Sequence, residues 1–388
     1  MSVAIENEEE PDTSLVTPAL HVGSPNVGDR DLFLRYVNEV FDRGWLTNNG
    51  PLVQEFEQRV AEYVGVKHCV AICNGTVALE IAIRAMGLKG EVILPSYTFV
   101  ATAHAVHSQN LTPVFADIDP VTHRLDVESV ARCITPRTSA ILGVHLWGQA
   151  SAVRPLQALA DEHGLQLFFD AAHAFGCSYG GEMIGRFGRA EVFSFHATKF
   201  FNTFEGGAIV TNDDSLAETA RLMRNFGFSG LDQVVHPGTN GKMVEMCAAM
   251  GLTNFASIGT FIETNRRNYL AYRDALAGIA GISLLPYDQA ERSNYQYIVV
   301  EVGPESAATR DEIVASLRAV NILARRYFWP GCHRMQPYGD LYPEASLRLP
   351  NTELVAARVI VLPTGMAVDV ARIEMIAGRV RRLANGAG

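Results

Sequence analysis

The stretch VFSFHATKFFNTFEGGAIVTND (192–213) carries two strands and, between them, a lysine in an unusual setting. EVFSFHA (191–197) and GGAIVTN (206–212) are short and largely apolar, the second opening on paired glycines, and each reads as a buried strand. Lys199 falls in the connecting loop, among Phe193, Phe195, Phe200, Phe201 and Phe204. A random lysine is a solvated surface charge. An ammonium crowded by aromatic rings is partly desolvated, which lowers its pKa and suits it to Schiff-base chemistry.

The alternation extends on both sides. VQEFEQRVAEYVG (53–65) has helical spacing and ends on glycine, HCVAIC (68–73) is a strand, and TVALEIAIRAMG (76–87) is a helix that is apolar almost all round. EVILP (91–95), TPVFADID (112–119), SAILGVHL (139–146) and QLFFD (166–170) are further strands, interleaved with helices over 99–109 and 153–164. DSLAETARLMRNFG (214–227) is a helix with Asp214 in its first turn. Short, nearly all-apolar strands separated by helices predict an α/β fold with a mainly parallel, seven-stranded sheet covered on both faces. Ligands of such sheets lie outside the carboxyl ends of the strands, so the polar residues there come first: Asn74, Ser96, Asp170 and the segment 194–199. After about residue 255 the pattern changes to a helix over 261–279, the strand YQYIVVEV (295–302), and helices around 311–320 and 369–384. The expected organisation is a large domain over 1–255, with a mobile acidic tail over 1–15, and a smaller C-terminal α+β domain over 256–388.

Composition narrows the function. The 388 residues are 48% hydrophobic and 19% charged, an ordinary globular balance, and the net charge of −10 argues against a nucleic-acid partner. MSVAIENEEEP at the start has no apolar run, and no stretch approaches the roughly 18 apolar residues of a membrane span, so a soluble, cytoplasmic protein is expected. Six cysteines are scattered without a CxxC pair, which reads as buried thiols with neither a disulfide frame nor a metal site.

Three further segments have chemical potential. Asp170 closes a buried strand, where its carboxylate either caps Ala171–His173 or pairs with a cation such as a protonated pyridine nitrogen. Asn74, Gly75 and Thr76 open a helix, whose free N–H groups and dipole favour an anion, although a plain N-cap has the same signature. Tyr97 and Phe99, in LPSYTFVATA (94–103), stand at a strand-to-helix junction, where one can stack on a flat ring or both can belong to the core. There is no GxxxxGKS/T loop and no GxGxxG, which disfavours nucleotide-hydrolase and Rossmann oxidoreductase readings.

Taken in order, NGT, PSYTFVATA, HLWGQ, DAAHAFG, SFHATK, EGGAIVTND and GTNGKM resemble the DegT-type sugar aminotransferases, a family of fold type I enzymes dependent on pyridoxal 5'-phosphate (PLP), from about Gly44 onward. The resemblance implies that Lys199 is the Schiff-base lysine, that Asp170 pairs with the pyridine nitrogen and that Phe99 covers the ring. It places Gly75, Thr76 and Val77 on the phosphate-binding turn, with Ser194 adding a hydroxyl. Asn240 matches an asparagine that reaches the phosphate from a second subunit, which implies a homodimer with shared sites. In this chain DAAH replaces the family's usual DAAQ, putting His173 near the cofactor's phenolic oxygen; Lys242 stands where an arginine is usual; and YFWP (327–330) replaces HYxP. Some related chains carry histidine in place of the lysine and act as 3-dehydratases, a branch that Lys199 argues against.

Within the family, FSFHATK, NFGF (225–228), GTNGKM and YFWPGCH (327–333) look most like the dTDP-4-keto-6-deoxyglucose 4-aminotransferases of deoxyaminosugar biosynthesis. That likeness implies a dTDP-keto-sugar as acceptor, with L-glutamate, the family's usual donor, supplying the amine. By position and charge Lys242, Arg325 and Arg326 are either contacts for the nucleotide diphosphate or solvated surface charges, and Tyr327 is a further candidate substrate contact. GWLTNNGP (44–51) either lines the sugar pocket or makes a tight turn. The alternatives are a C3 aminotransferase on a 3-keto sugar and a non-catalytic PLP-binding regulator.

Overall fold

The computed structural model describes residues 15–386, so the tail expected over 1–15 lies, apart from Leu15, outside the described residues. Seven strands form the main sheet: β1 (His68–Ile72), β2 (Glu91–Pro95), β3 (Thr112–Ala116), β4 (Thr138–Val144), β5 (Gln166–Asp170), β6 (Glu191–Ser194) and β7 (Gly207–Thr211), in the order β1-β7-β6-β5-β4-β2-β3. Pairing is parallel from β6 across to β3. β7 is inserted antiparallel between β1 and β6. The fold class is therefore the expected one, an α/β protein with a mainly parallel seven-stranded sheet.

Side-chain alternation along each strand feeds two cores. Phe169, with Cys69 and Ala71 of β1, joins Phe56, Phe175, Phe195 and Phe201 on one face. Phe168, with Val70 and Ile72, joins Ile81, Leu94, Leu142 and Ile209 on the other. Strands buried on both sides are apolar along nearly their whole length, the buried acids Glu91, Asp170 and Glu191 standing at their ends, which is why these runs were legible.

A second, smaller antiparallel sheet contains β8 (Ile282–Leu284), β9 (Ile298–Val302) and β10 (Val359–Leu362), in that order. It packs with the helices Arg310–Ala319 and Val370–Ala384 around a separate core. The two units share one element. A helix expected over 261–279 runs from Glu245 to Leu276, straight through the expected junction at 255/256. Its early residues Ala248, Leu252 and Phe255 pack in the large core, and its late residues Tyr269, Tyr272 and Leu276 in the small one.

Two other differences bear on the site. The strand expected over 191–197 ends at Ser194, and the chain leaves the sheet before Lys199. The N-terminal segment crosses to the small unit, where Leu20–His21 pairs in parallel with Ile322–Leu323. Asn26 then ties three segments together: its Nδ2 donates to the carbonyl of Phe200 at 2.9 Å, its carbonyl accepts from Asn202 at 2.8 Å, and its Oδ1 accepts from Met366 N–H at 3.3 Å.

Candidate active site

A cleft of about 680 Å³ opens at the carboxyl ends of the strands, lined by residues from both units. Lys199, half-buried, lies on its floor. Burial pushes its pKa down to about 8 from an ordinary 10.5, partly opposed by the charge of Asp170. The aromatic residues flanking it in sequence are not the cause in the way expected. Phe195, Phe200 and Phe201 turn into the core beneath, Phe204 packs on Phe33, and of the five only Phe193 lines the cleft. Desolvation comes from the closed floor itself, where Lys199 Nζ donates to Tyr297 Oη at 3.4 Å.

Asp170 ends β5 and is only 7% exposed. Its Oδ2 accepts from Thr102 Oγ1 at 2.8 Å and its Oδ1 from Ala172 N–H at 3.0 Å. Thr98 and Thr102 continue the chain of hydroxyls at 3.1 Å. Burial raises the carboxyl's pKa, while the Thr102 hydroxyl, the Ala172 amide and the Lys199 charge pull it back. Among the described residues no side chain forms an ion pair with it. A buried carboxylate in this state is set for a cation delivered by a ligand.

The helix Gly75–Ala85 points its N-terminus into the same cleft. Asn74 is its N-cap, its Oδ1 accepting from Val77 N–H at 2.9 Å. Both sequence readings therefore meet here: the cap exists, and it occupies the Val77 amide, leaving those of Gly75 and Thr76 to face the cleft. Ser194 lies alongside and accepts a long 3.5 Å bond from His196 N–H, so its hydroxyl hydrogen is free to donate. Close approach explains the glycines. A Cβ on Gly75 would stand 3.0 Å from Ser194 Cβ, and one on Gly207 would stand 2.7 Å from Gly75 N.

Tyr97 and Phe99 separate cleanly. Tyr97 is fully buried and donates to the carbonyl of Tyr327 at 2.7 Å. Phe99 is 56% exposed, with its ring over the cleft and an edge contact to Phe328. His173 is buried between the rings of Trp147, Phe328 and Tyr297. Burial, followed by repulsion from Lys199, holds its pKa well below the ordinary value, so it is neutral. Its Nδ1 accepts from Trp147 N–H at 3.4 Å, which puts the proton on Nε2.

The candidate substrate residues divide. Arg325 and Tyr327 line the cleft, with the guanidinium 4.9 Å from the Tyr327 ring. Arg326 turns away to Asp311 at 3.1 Å and stacks on Trp329. Lys242 donates to Asn225 at 3.0 Å and lies over Phe226, outside the cleft lining. Asn240 is exposed and also outside it. The 44–51 segment is a tight connection between the helices Arg30–Arg43 and Pro51–Val64, and none of it lines the cleft of its own chain. Tyr297, Phe328 and Thr102 were not anticipated as site residues. Tyr297 and Phe328 come from the small unit; Phe328 lies in the YFWP stretch that the sequence marks, whereas nothing local marks Tyr297.

PLP fits what these residues offer. Asp170 lacks a cation, Gly75, Thr76 and Ser194 present unused donors at a helix N-terminus, Phe99 presents a bare ring, and Lys199 presents an amine of lowered pKa. Among the described residues no cluster of His, Cys, Asp or Glu is placed to hold a metal, all six cysteines are free, and no helix is long and apolar enough to cross a membrane.

Residues 29–381 match the profile of the DegT/DnrJ/EryC1/StrS aminotransferase family. The chain is 36% identical over 364 residues to dTDP-4-amino-4,6-dideoxy-D-glucose transaminase of Shigella dysenteriae, covering 94% of this chain and 99% of that protein. It is 36% identical over 366 residues to GDP-perosamine synthase of Caulobacter vibrioides, covering 92% and 96% respectively. The solved structure of DesI, analysed in the presence of its TDP-sugar product, matches with a TM-score of 0.90 at 46% identity over 96% of this chain and 95% of that one. With the profile spanning nearly all of the described chain and the fold shared end to end, this chain belongs to the DegT/DnrJ/EryC1/StrS aminotransferase family and works with PLP.

Proposed function

We propose that this aminotransferase moves the amino group of L-glutamate to C4 of dTDP-4-keto-6-deoxy-D-glucose, as a homodimer in which Asn240 of each copy reaches the other's cleft. The observation that carries the reaction class is the placement of Lys199 and Asp170 in one cleft, the amine desolvated and the carboxylate without a cation. Similarity to the Shigella transaminase and to DesI supports the choice of sugar.

Bound PLP supplies an electron sink for negative charge at the donor's α-carbon and carries the amino group from donor to acceptor. Asp170 binds and orients the ring through its nitrogen, and Thr102 and Ala172 fix the direction of that carboxylate. The Gly75 and Thr76 amides and the Ser194 hydroxyl hold the phosphate, Phe99 covers one face, and His173 donates Nε2–H from within the cleft. Lys199 Nζ takes the proton from the donor's α-carbon and would deliver it to the cofactor carbon that keeps the amino nitrogen, running in reverse for the acceptor sugar, and at a pKa near 8 it exchanges protons readily at neutral pH. Arg325, exposed at the cleft, attracts the nucleotide diphosphate; Arg326 is committed to Asp311 and contributes less.

Two measurements test this reading. Wild-type holoenzyme should show the visible band of lysine-bound cofactor, bleached by glutamate, and Lys199→Ala should lack it. An unchanged band in Lys199→Ala would falsify the role of Lys199. Product analysis with 4-keto and 3-keto dTDP-sugars, glutamate being present, should give amination of the 4-keto compound. Turnover of the 3-keto compound alone would overturn the C4 assignment in favour of the C3 alternative.

A further inference from the structure

Tyr297 reads in sequence only as part of the stretch 295–302, yet it brings the small unit into contact with the reactive amine. Its ring is buried, with its centroid 4.5 Å from that of His173 and 5.3 Å from that of Trp147. A single hydroxyl brackets its backbone: Tyr287 Oη accepts from Tyr297 N–H at 3.3 Å and donates to the Tyr297 carbonyl at 2.9 Å. One hydroxyl has the hydrogen and the lone pairs to do both at once. The preceding residue adds a tie to the lysine loop, Gln296 Oε1 accepting from Phe200 N–H at 3.2 Å. Residues 296–297 therefore meet residues 199–200 at two points, once through the backbone of the loop and once through Lys199 Nζ, 3.4 Å from Tyr297 Oη.

The chemistry of this contact is one-sided. Burial, with the neighbouring Tyr327 and Asp170 adding to it and the Gln296 side chain opposing it, raises the phenol's pKa, so the group stays protonated across the working range. Its oxygen accepts from the amine, and among the described residues no acceptor takes its own hydrogen. The groups that face Lys199 Nζ are Asp170 at the end of β5, His173 and Tyr297, with His196, Glu205, Arg325 and Tyr327 the other titratable side chains lining the cleft. Of these, Tyr297 is the one hydrogen-bonded to the amine.

We infer that Tyr297 is a positioning residue: whenever the Lys199 amine is free, the phenol oxygen holds it in the direction from which it moves the proton away from the donor's α-carbon. No bond to Tyr297 forms or breaks, and it gives up no proton. A lysine side chain has several freely rotating bonds, and holding it in one direction raises the fraction of time it is aligned for transfer. The inference rests on the assignment of Lys199 made above.

Tyr297→Phe keeps the ring between His173 and Trp147 and leaves the main-chain bracket untouched. It should lower kcat about tenfold, the worth of one hydrogen bond, with KM for both substrates within about twofold. In the cofactor-free protein, 15N NMR of labelled lysine, with Lys199 assigned through Lys199→Arg, should show the Lys199 titration moved to lower pH, because the ammonium has lost its acceptor. A kcat within about twofold of wild type, or a loss of kcat with an unmoved Lys199 titration, overturns the inference. If Tyr297→Phe does not fold, 3-fluorotyrosine at position 297 keeps the shape and weakens the acceptor; the same downward shift supports the role, and an unmoved titration overturns it. The Lys199→Ala spectrum separates the two levels. A retained band sinks the assignment beneath; a lost band with an unaffected Tyr297→Phe enzyme sinks this inference alone.

Discussion

His173 stands where the proposed site calls for a hydrogen-bond donor to the cofactor, and it has one to give. The Trp147 amide occupies Nδ1, so Nε2–H is the donor that remains, and burial keeps the ring from gaining a second proton. A glutamine amide can offer the same single donor. We therefore expect His173→Gln to retain the cofactor with a Kd within about fivefold, and His173→Leu, which removes the donor, to weaken it about tenfold or more, as measured by spectroscopic titration. Lys199 has a consequence for stability as well. Its pKa is about 8 in the folded chain against an ordinary 10.5, so between those values the unfolded chain binds more protons and stability rises with pH. Below pH 8 the buried ammonium is a full liability. Lys199→Met should therefore raise the Tm of the cofactor-free protein at neutral pH, and the gain should shrink as the pH climbs from about 8 toward 10.5. A gain independent of pH would point to packing alone. Residues at this scale were legible where local chemistry is unusual. Asp170 stands out because a charge closing an apolar strand needs a reason, and Lys199 because it interrupts a run of phenylalanines. Tyr297 carries no such mark. It meets Lys199 across 98 positions of sequence, and only the packing of the two units brings them together.

Among the elements, the turn at Asn74–Gly75 depends on close approach by β7. A methyl group on Gly207 would fall 2.6–2.7 Å from the backbone of Asn74 and Gly75, where no flexible side chain can yield. We expect Gly207→Ala to cost about 1–3 kcal/mol of stability in urea denaturation and to weaken PLP binding at least severalfold by displacing the turn. Glu245 works at a distance of 193 residues. Its buried carboxylate accepts from the Leu52 and Val53 amides at 2.9 Å each, capping the helix Pro51–Val64, whose own N-cap, Gly50, has no side chain to offer. Glu245→Ala should lower stability by about 2 kcal/mol, since two helix N-terminal donors lose an ionised acceptor. The apolar runs of β1 to β6 could be read directly because both faces are covered. The direction of β7 could not, since GAIVT is equally apolar in either sense; its reversal is set by the short connection from β6 through the lysine loop. The long helix was read sixteen residues short at its start because its first half is buried on many sides and lacks an amphipathic rhythm.

For the whole molecule, the exposed Asn240, outside its own cleft, is a test of the proposed dimer. If each copy lends Asn240 to the other, chains carrying Lys199→Ala and chains carrying Asn240→Ala should complement when mixed and refolded. A hybrid dimer then holds one site with both lesions and one with neither. Recovery of activity above either parent is the expected result; a mixture no better than Asn240→Ala alone would count against shared sites. The sequence changes rhythm near residue 255, but the continuity of one helix across that position was not legible, because a helix continuous through two cores shows no break in its pattern.

The ties made by Asn26 bear on when, during synthesis, the protein becomes an enzyme. Once Thr211 has emerged from a ribosome, all seven strands of the main sheet exist, and so do Asp170, Ser194 and Lys199. The lysine loop is still held on one side only. Asn26 already grips Phe200 and Asn202, but its own Oδ1 waits for Met366, 340 residues further along, and the amine waits for Tyr297. N-terminal units of a nascent chain generally fold before the C-terminal ones. Such a unit carries every group of its own half proposed to hold the cofactor, yet its lysine has neither its final direction nor its final shielding. Competence to take up PLP should therefore appear late and abruptly in chain growth, which makes a stalled or truncated chain a protein with the right residues and an unfinished site.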